Sequence, residues 1–291
     1  NNDYFDDTYR HNGQPQAYKG YCTDVFFGEA MKWMKGCANR RQPFFTYLAL
    51  NAAHAPLFVP PQYRALYPGQ KRNVASFFGM IANIDENMGR LEAFLHETGL
   101  RDNTLLIFMT DNGGTAGVPV FNAGMKGSKV TLWEGGHRVP CFIRWPDGKL
   151  RPPGDVAELT QVQDILPTLI ELCGMETVAV SLGTRPPTEG LRLKSLTGKK
   201  RAAWKWEAVW SDGTVTPASF PRFDGISLAG LLRGETNALP DRMLVVQFSR
   251  MNHPEPEKGD AAVLWQRWRL VQDKELYDLK TDFGQKTNVF A

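Results

Sequence analysis

Asp111 and Asn112 stand side by side at the end of an apolar run and just ahead of Gly113 and Gly114. A carboxylate and an amide carbonyl are hard oxygen donors, better suited to Ca²⁺ or Mg²⁺ than to Zn²⁺. The two glycines let the backbone turn tightly beside an ion. The same four residues also make an ordinary turn. His54 follows a second apolar run and precedes Pro56. A histidine there can donate to an anion or protonate a leaving oxygen, or it can simply satisfy a loop. Lys126 and Lys129 lie in a glycine-rich stretch that continues to Glu134-Gly135-Gly136. One lysine on such a loop is ordinarily solvated. A pair just after an oxygen-ligand site can hold a tetrahedral anion as a point charge.

The elements that must carry these residues alternate. Thr23 or Asp24 is expected to cap a helix reaching about Gly36. Pro43–Leu50 is short, aromatic and nearly uncharged, which predicts a buried strand ending at His54. Phe77, Ile81, Ile84, Met88, Leu91 and Leu95 recur at helical steps, and Gly99 closes that helix. Thr104–Thr110 reads as a second buried strand, ending at Asp111. Val139–Trp145 reads as a third, and a helix is expected over Asp164–Cys173. This rhythm predicts an α/β fold with a mostly parallel sheet flanked by helices, with ligands at the carboxyl ends of the strands.

Residues 175–222 lack a clean period and read as an insertion or linker. Within them, Lys199–Trp206 mixes basic and aromatic residues. It is read as a solvated helix with packed tryptophans in preference to an anion or sugar platform. Met243–Phe248, Ala262–Trp265, Trp268–Gln272 and Leu276–Leu279 predict a small C-terminal antiparallel subdomain. The expected divisions are therefore 1–174, 175–222 and 223–291.

Composition removes several classes. Across 291 residues, 34 basic and 31 acidic side chains give 34 − 31 = +3. That balance does not suggest a nucleic-acid binder or a polybasic membrane patch. At 42% hydrophobic and 22% charged residues, the chain has a globular composition. No apolar run approaches the ~18 residues of a membrane span. Four cysteines without a C-x-x-C pair give no disulfide framework.

Order and spacing say more than any single residue. Pro43-Phe44-Phe45 through His54-Ala55-Pro56, then Thr110-Asp111-Asn112-Gly113, then Lys129-x-Thr131-x-x-Glu134-Gly135-Gly136 closely resemble the sulfatase family of the alkaline-phosphatase-like superfamily. Asp164–Leu169, Asp224–Leu228 and Glu275-Leu276-Tyr277-Asp278-Leu279 extend the resemblance over nearly the whole chain outside 175–222. It implies hydrolysis of a sulfate ester by a formylglycine nucleophile with a divalent cation, usually Ca²⁺, with Mg²⁺ also possible. By resemblance, Asp111 and Asn112 are metal ligands. Lys129 and His54 contact the sulfate or the ester oxygen as catalytic and substrate-binding groups. Lys126 takes the place of an arginine in many bacterial relatives and counts as a substrate-binding candidate. Glu134 fixes the loop. The substrate implied is a sulfated small molecule or polysaccharide, and the location is periplasmic or secreted.

The family's nucleophile motif, C/S-x-P-S-R, is absent from these residues. None of Cys22, Cys37, Cys141 and Cys173 begins it, and Ser219-Phe220-Pro221-Arg222 has its arginine one place early. The family's first metal-binding aspartates are missing too. The chain is therefore expected to be the latter part of a sulfatase, incomplete at the N-terminus. The rival readings are a phosphomonoesterase or phosphodiesterase of the same superfamily, a non-catalytic binder of sulfated glycans, and an inactive fragment. Gln247–Arg250 and His253 are candidates for the substrate pocket.

Overall fold

The computed structural model describes residues 4–175, 190–196, 203–209, 215–217, 223–248 and 257–290. The chain opens with an antiparallel hairpin, β1 (Thr8–His11) and β2 (Gln14–Ala17). Asn12 and Gly13 both take positive φ at its turn, 49° and 81°. That is the Asn-Gly signature of a two-residue hairpin, which the sequence reading passed over. Helix α1 (Cys22–Asn39) follows. Tyr21, not Thr23 or Asp24, is its N-cap, because Thr23 is fully buried and Asp24 is engaged elsewhere. The Asp24 carboxylate accepts from the Asn83 and Asn87 amides at 2.9 and 2.7 Å.

Short α2 (Pro61–Ala65) precedes the long α3 (Arg72–Glu97). Phe27 and Met34 of α1 pack on Leu91 and Leu95 of α3, and Phe44, Leu48 and Leu50 close the cluster. Burying each such side chain is worth roughly 1.5–3 kcal/mol. Residues 43–50 alternate in burial as a strand would. Phe45 and Tyr47 face outward at 73% and 84% exposure. Yet no ladder forms there among the described residues. A strand needs a hydrogen-bonding neighbour, and none of the described strands lies alongside.

The strand β3 (Leu106–Met109) pairs with β4 (Cys141–Arg144), and α4 (Glu134–His137) sits on the connection. The pairing is antiparallel, Leu106 opposite Arg144 and Met109 opposite Cys141. The strand pairings recorded among the described residues are all antiparallel. This departs from the expected parallel sheet, because the chain leaves β3, makes the loop over 111–140 and returns in the opposite sense.

Helix α5 (Ile165–Leu172) lies where a helix was expected. Beyond it come β5 (Gly190–Leu196), β6 (Ala203–Val209) and β7 (Val215–Pro217), an antiparallel three-stranded sheet. Residues 203–206 are thus strand, not the solvated helix read from their composition. Trp204 and Trp206 alternate about Lys205, a period of two. Residues 199–202 lie outside the described residues, as do 176–189, 210–214, 218–222 and the candidates at 249, 250 and 253.

After α6 (Ala229–Arg233) the chain forms a four-stranded antiparallel sheet as foreseen. Its strands are β8 (Met243–Gln247), β9 (Ala261–Trp265), β10 (Trp268–Val271) and β11 (Glu275–Asp278), in the order β11-β10-β9-β8. The contacts divide the chain into two compact units. One comprises Asn1–Asp147, Val246–Ala262 and Arg269–Ala291, and the other Gly148–Val245 and Val263–Trp268. Asp164 is the polar centre of the second unit. Its fully buried carboxylate accepts two hydrogen bonds from Arg242, at 2.8 and 2.6 Å, and one each from the Ile226 and Gln161 N–H groups. Burial alone would raise this carboxyl, but Arg242 and the two amides outweigh it and hold it below the ordinary range.

Candidate active site

The end of β3 delivers Asp111 exposed and Asn112 half-buried. What fixes them is the backbone of the following glycines. The Gly113 N–H donates to the Gly136 carbonyl at 3.0 Å, and the Gly114 carbonyl accepts from the Lys129 N–H at 3.0 Å. A Cβ on Gly113 would sit well under 3.0 Å from the Gly135 carbonyl oxygen, so only glycine permits this approach. The backbone of Lys129 is thereby held against the turn that follows Asp111 and Asn112.

The loop that carries Lys129 is held at several points. The Gly135 N–H donates to the Lys126 carbonyl at 2.8 Å. The Asn122 amide bridges the Met125 and Gly127 carbonyls at 2.7 and 2.8 Å. Thr131 Oγ1 accepts from the Ser128 N–H and donates to the Ser128 carbonyl, at 3.0 and 2.7 Å. Gly127, at φ 87°, takes a turn that leaves no room for a side chain against Thr131.

The two lysines part company here. The Lys126 ammonium donates to Tyr277 Oη at 2.7 Å and to Glu275 Oε2 at 3.4 Å. It lies 4.5 and 4.9 Å from the centroids of the Trp133 and Tyr277 rings. The Trp133 indole N–H and the Tyr277 hydroxyl both donate to the same Glu275 oxygen. Desolvation works against the Lys126 charge, but Tyr277 and Glu275 prevail and hold its pKa above the ordinary lysine value. Tyr277 first, then Trp133 and Lys126, keep Glu275 low against the opposing effect of burial. Lys126 is thus a staple between the loop and β11. No hydrogen bond or ion pair of the Lys129 ammonium is found among the described residues.

Glu134 is 1% exposed and anchors the return arm. Its carboxylate accepts from Arg269 Nε at 2.7 Å and from Arg138 at 3.3 Å, while its N–H donates to the Gln285 side chain at 2.9 Å. His137 lies beside this pair. Burial is the main cause that lowers its pKa, with Glu134 opposing and Arg269 assisting. Arg269, Gln285, Glu275 and Tyr277 carry roles that the sequence reading did not assign. The signal for two of them was present, since residues i and i+2 of a strand share a face.

His54 has its own supports. Its Nδ1 lies 2.7 Å from the Ala55 carbonyl, its N–H donates to the Asn51 carbonyl, and its own carbonyl accepts from the Tyr4 hydroxyl at 2.7 Å. A carbonyl only accepts, so Nδ1 carries a proton and Nε2 is left for other partners. No hydrogen bond links His54 to Asp111 or Lys129 among the described residues.

Asp111 and Asn112 have the donor chemistry of a hard-cation site, but two oxygens fall short of the six or more such ions take. No group of three or more His, Cys, Asp or Glu side chains able to hold a metal occurs among the described residues. The pair therefore fits part of a coordination shell.

Residues 1–175 match the family model described as Sulfatase. The chain is 31% identical over 156 residues to the uncharacterized sulfatase YdeN of Escherichia coli, covering 53% of this chain and 28% of YdeN. A sulfatase of Formosa agariphila is 24% identical over 285 residues, 93% of this chain and 46% of that protein. The crystal structure of Ps i-CgsB in complex with k-i-k-neocarrahexaose superposes with a TM-score of 0.71 at 26% identity, covering 96% of this chain and 53% of that one. The chain thus spans about half or less of the length of these relatives. With the family's model matched over 1–175 and its strand-end and loop motifs packed against each other, the chain belongs to the sulfatase family.

Proposed function

We propose that the protein hydrolyses sulfate monoesters, with a sulfated saccharide or sulfated small molecule as substrate. The observation that carries this reading is the pair of backbone hydrogen bonds, Gly113 to Gly136 and Lys129 to Gly114, which holds the backbone of Lys129 against the turn that follows Asp111 and Asn112. Family membership and the saccharide bound to Ps i-CgsB support it. In this reading Asp111 and Asn112 contribute two ligands to a Ca²⁺ or Mg²⁺ ion, which would supply Lewis-acid polarisation of the sulfate. Lys129 binds a sulfate oxygen and offsets charge that grows on the ester. His54, with Nδ1–H tied to the Ala55 carbonyl, acts in this reading as the imidazolium, whose second proton, on Nε2, hydrogen-bonds the leaving oxygen and is passed to it as the ester bond breaks. The formylglycine nucleophile is assigned to a segment outside these 291 residues, because no C/S-x-P-S-R occurs within them. Export to the periplasm or beyond completes the reading.

The test is hydrolysis of 4-nitrophenyl sulfate by the full-length gene product, with 4-nitrophenyl phosphate as comparator. Sulfate turnover that Lys129→Ala lowers by about 10²–10³ supports the reading, a loss of the size seen when one preorganised donor is removed. Preferred turnover of the phosphate ester overturns it.

A further inference from the structure

Beside the His54 loop lies a cavity of about 670 Å³ lined by Phe5, Phe58, Arg64, Arg72, Asn73 and Ser76, among others. None of its lining residues is acidic. We propose that it is a second anion subsite, which takes a sulfate group on a sugar adjoining the one being hydrolysed. The proposal rests on the sulfate-ester reading above and extends it to the shape of the substrate.

Four observations carry it. First, Arg64 and Arg72 both line the one cavity, and no ion pair or side-chain hydrogen bond of either is found among the described residues. Arginine presents a planar fork of donors that matches sulfate oxygens two at a time. Second, their spacing is built in. Gly79 lets the backbone of Tyr63 and Arg64 approach to 3.0 Å from where its Cβ would stand, so α2 lies directly on the first turns of α3. Arg64, Arg72, Asn73 and Ser76 line the cavity on these two packed helices. Third, Ser76 is only 3% exposed yet lines the cavity, and Asn73 adds an amide. Polar groups of this kind orient a ligand within a largely apolar pocket. Fourth, Phe5 and Phe58 remain 41% and 55% exposed at the same cavity. They offer flat apolar faces against which a sugar ring packs.

The cavity also adjoins the candidate active site in the chain. Phe58 is four residues past His54. The Tyr4 ring sits edge-on to Phe58 at 6.2 Å, and its hydroxyl binds the His54 carbonyl. One aromatic residue therefore braces both the cavity wall and the histidine loop. A chain of sugars reaching across that brace would place one sulfate near His54 and the next between Arg64 and Arg72.

The experiment compares binding to the full-length gene product and to its Arg64→Gln/Arg72→Gln variant by calorimetric titration. The probes are a short dextran sulfate oligosaccharide, the unsulfated dextran of the same length, and inorganic sulfate. Circular dichroism establishes that the variant is folded. The expected result is that the variant loses at least tenfold more affinity for the sulfated oligosaccharide than for inorganic sulfate, the scale of one charge-assisted hydrogen bond. Added salt should weaken the unaltered protein's binding of the oligosaccharide more steeply than the variant's. Equal losses for both sulfated probes, no loss at all, or equal binding of dextran and dextran sulfate would overturn the subsite. Failure of the unaltered protein to hydrolyse 4-nitrophenyl sulfate counts against the sulfatase reading, and the titration still decides the subsite. If Arg64→Gln/Arg72→Gln unfolds, the lysine versions Arg64→Lys and Arg72→Lys, which keep charge but lose the fork, are expected to weaken the same probe.

Discussion

The N–H of Gly113, two residues past Asp111, donates to the carbonyl of Gly136 at 3.0 Å. This single bond ties the end of β3 to the far arm of the loop that carries Lys129. Neither glycine could be another residue, since an added Cβ meets backbone atoms at both positions. Gly113→Ala should therefore cost about 3 kcal/mol or more, the range for forced backbone shifts in a packed site. Gly28→Ala in α1, where nothing lies within 4 Å of the added methyl, should instead stabilise by up to ~1 kcal/mol. Urea denaturation of the two variants checks both signs.

Glu134 and Arg269 form a buried ion pair, 1% and 6% exposed. Removing one partner leaves the other charge buried without its nearest counter-ion, so Glu134→Gln or Arg269→Met alone should lose about 3 kcal/mol, the low end for a broken buried pair, since Arg138 still reaches Glu134. The double variant should lose clearly less than the sum. A double-mutant cycle from urea midpoints reads the coupling, and simple additivity would show that the pair is not a unit.

Lys126 staples the loop to β11 through Tyr277, Glu275 and the Trp133 ring. Lys126→Met should lose about 2 kcal/mol, combining a charge-assisted hydrogen bond with a cation–π contact. Lys126→Arg, which keeps charge and stacking, should recover most of it. Thermal melts of both variants provide the comparison, and equal losses would mean that charge and stacking are not what holds the loop.

The Asp164 carboxyl is held below its ordinary value near 3.8 by Arg242 and two backbone amides, against the cost of burial. A depressed folded-state value means the unfolded chain binds the proton first as pH falls. The stabilisation is complete above about pH 4 and is lost as pH drops through the lower folded value. Acid unfolding should consequently be shallower in Asp164→Asn between pH 4 and pH 2, on a lower baseline stability. Chemical denaturation at stepped pH tests the slope.

In the proposed function Asp111 and Asn112 supply two hard oxygens toward a cation. Millimolar Ca²⁺ should raise the melting temperature of the full-length gene product, because a ligand that binds only the folded state stabilises it. EDTA should reverse the shift, and Asp111→Ala should abolish it. A shift that survives Asp111→Ala would place the ion elsewhere.

Much of the fold that carries the candidate residues was legible in the chain itself. The strand ending at Asp111, the helical period from Phe77 to Leu95 and the four short C-terminal strands all emerge from local pattern. These are properties of neighbours in sequence: hydrophobic period, glycine at turns, spacing of polar residues. The order of His54, Asp111-Asn112 and Lys129 was enough to point to the family. Residue type and loop position alone could not separate Lys126 from Lys129. Both are lysines on one glycine-rich loop, and the difference lies in Glu275, Tyr277 and Trp133, up to 151 residues away in the chain. The same holds for Glu134, whose partner Arg269 is 135 residues distant. It holds also for residues 43–50, whose composition reads as a strand although strand pairing depends on what lies alongside. Local chemistry decided which residues could act; only the tertiary contacts decided which lysine is spent on holding the loop and which has no side-chain partner among the described residues.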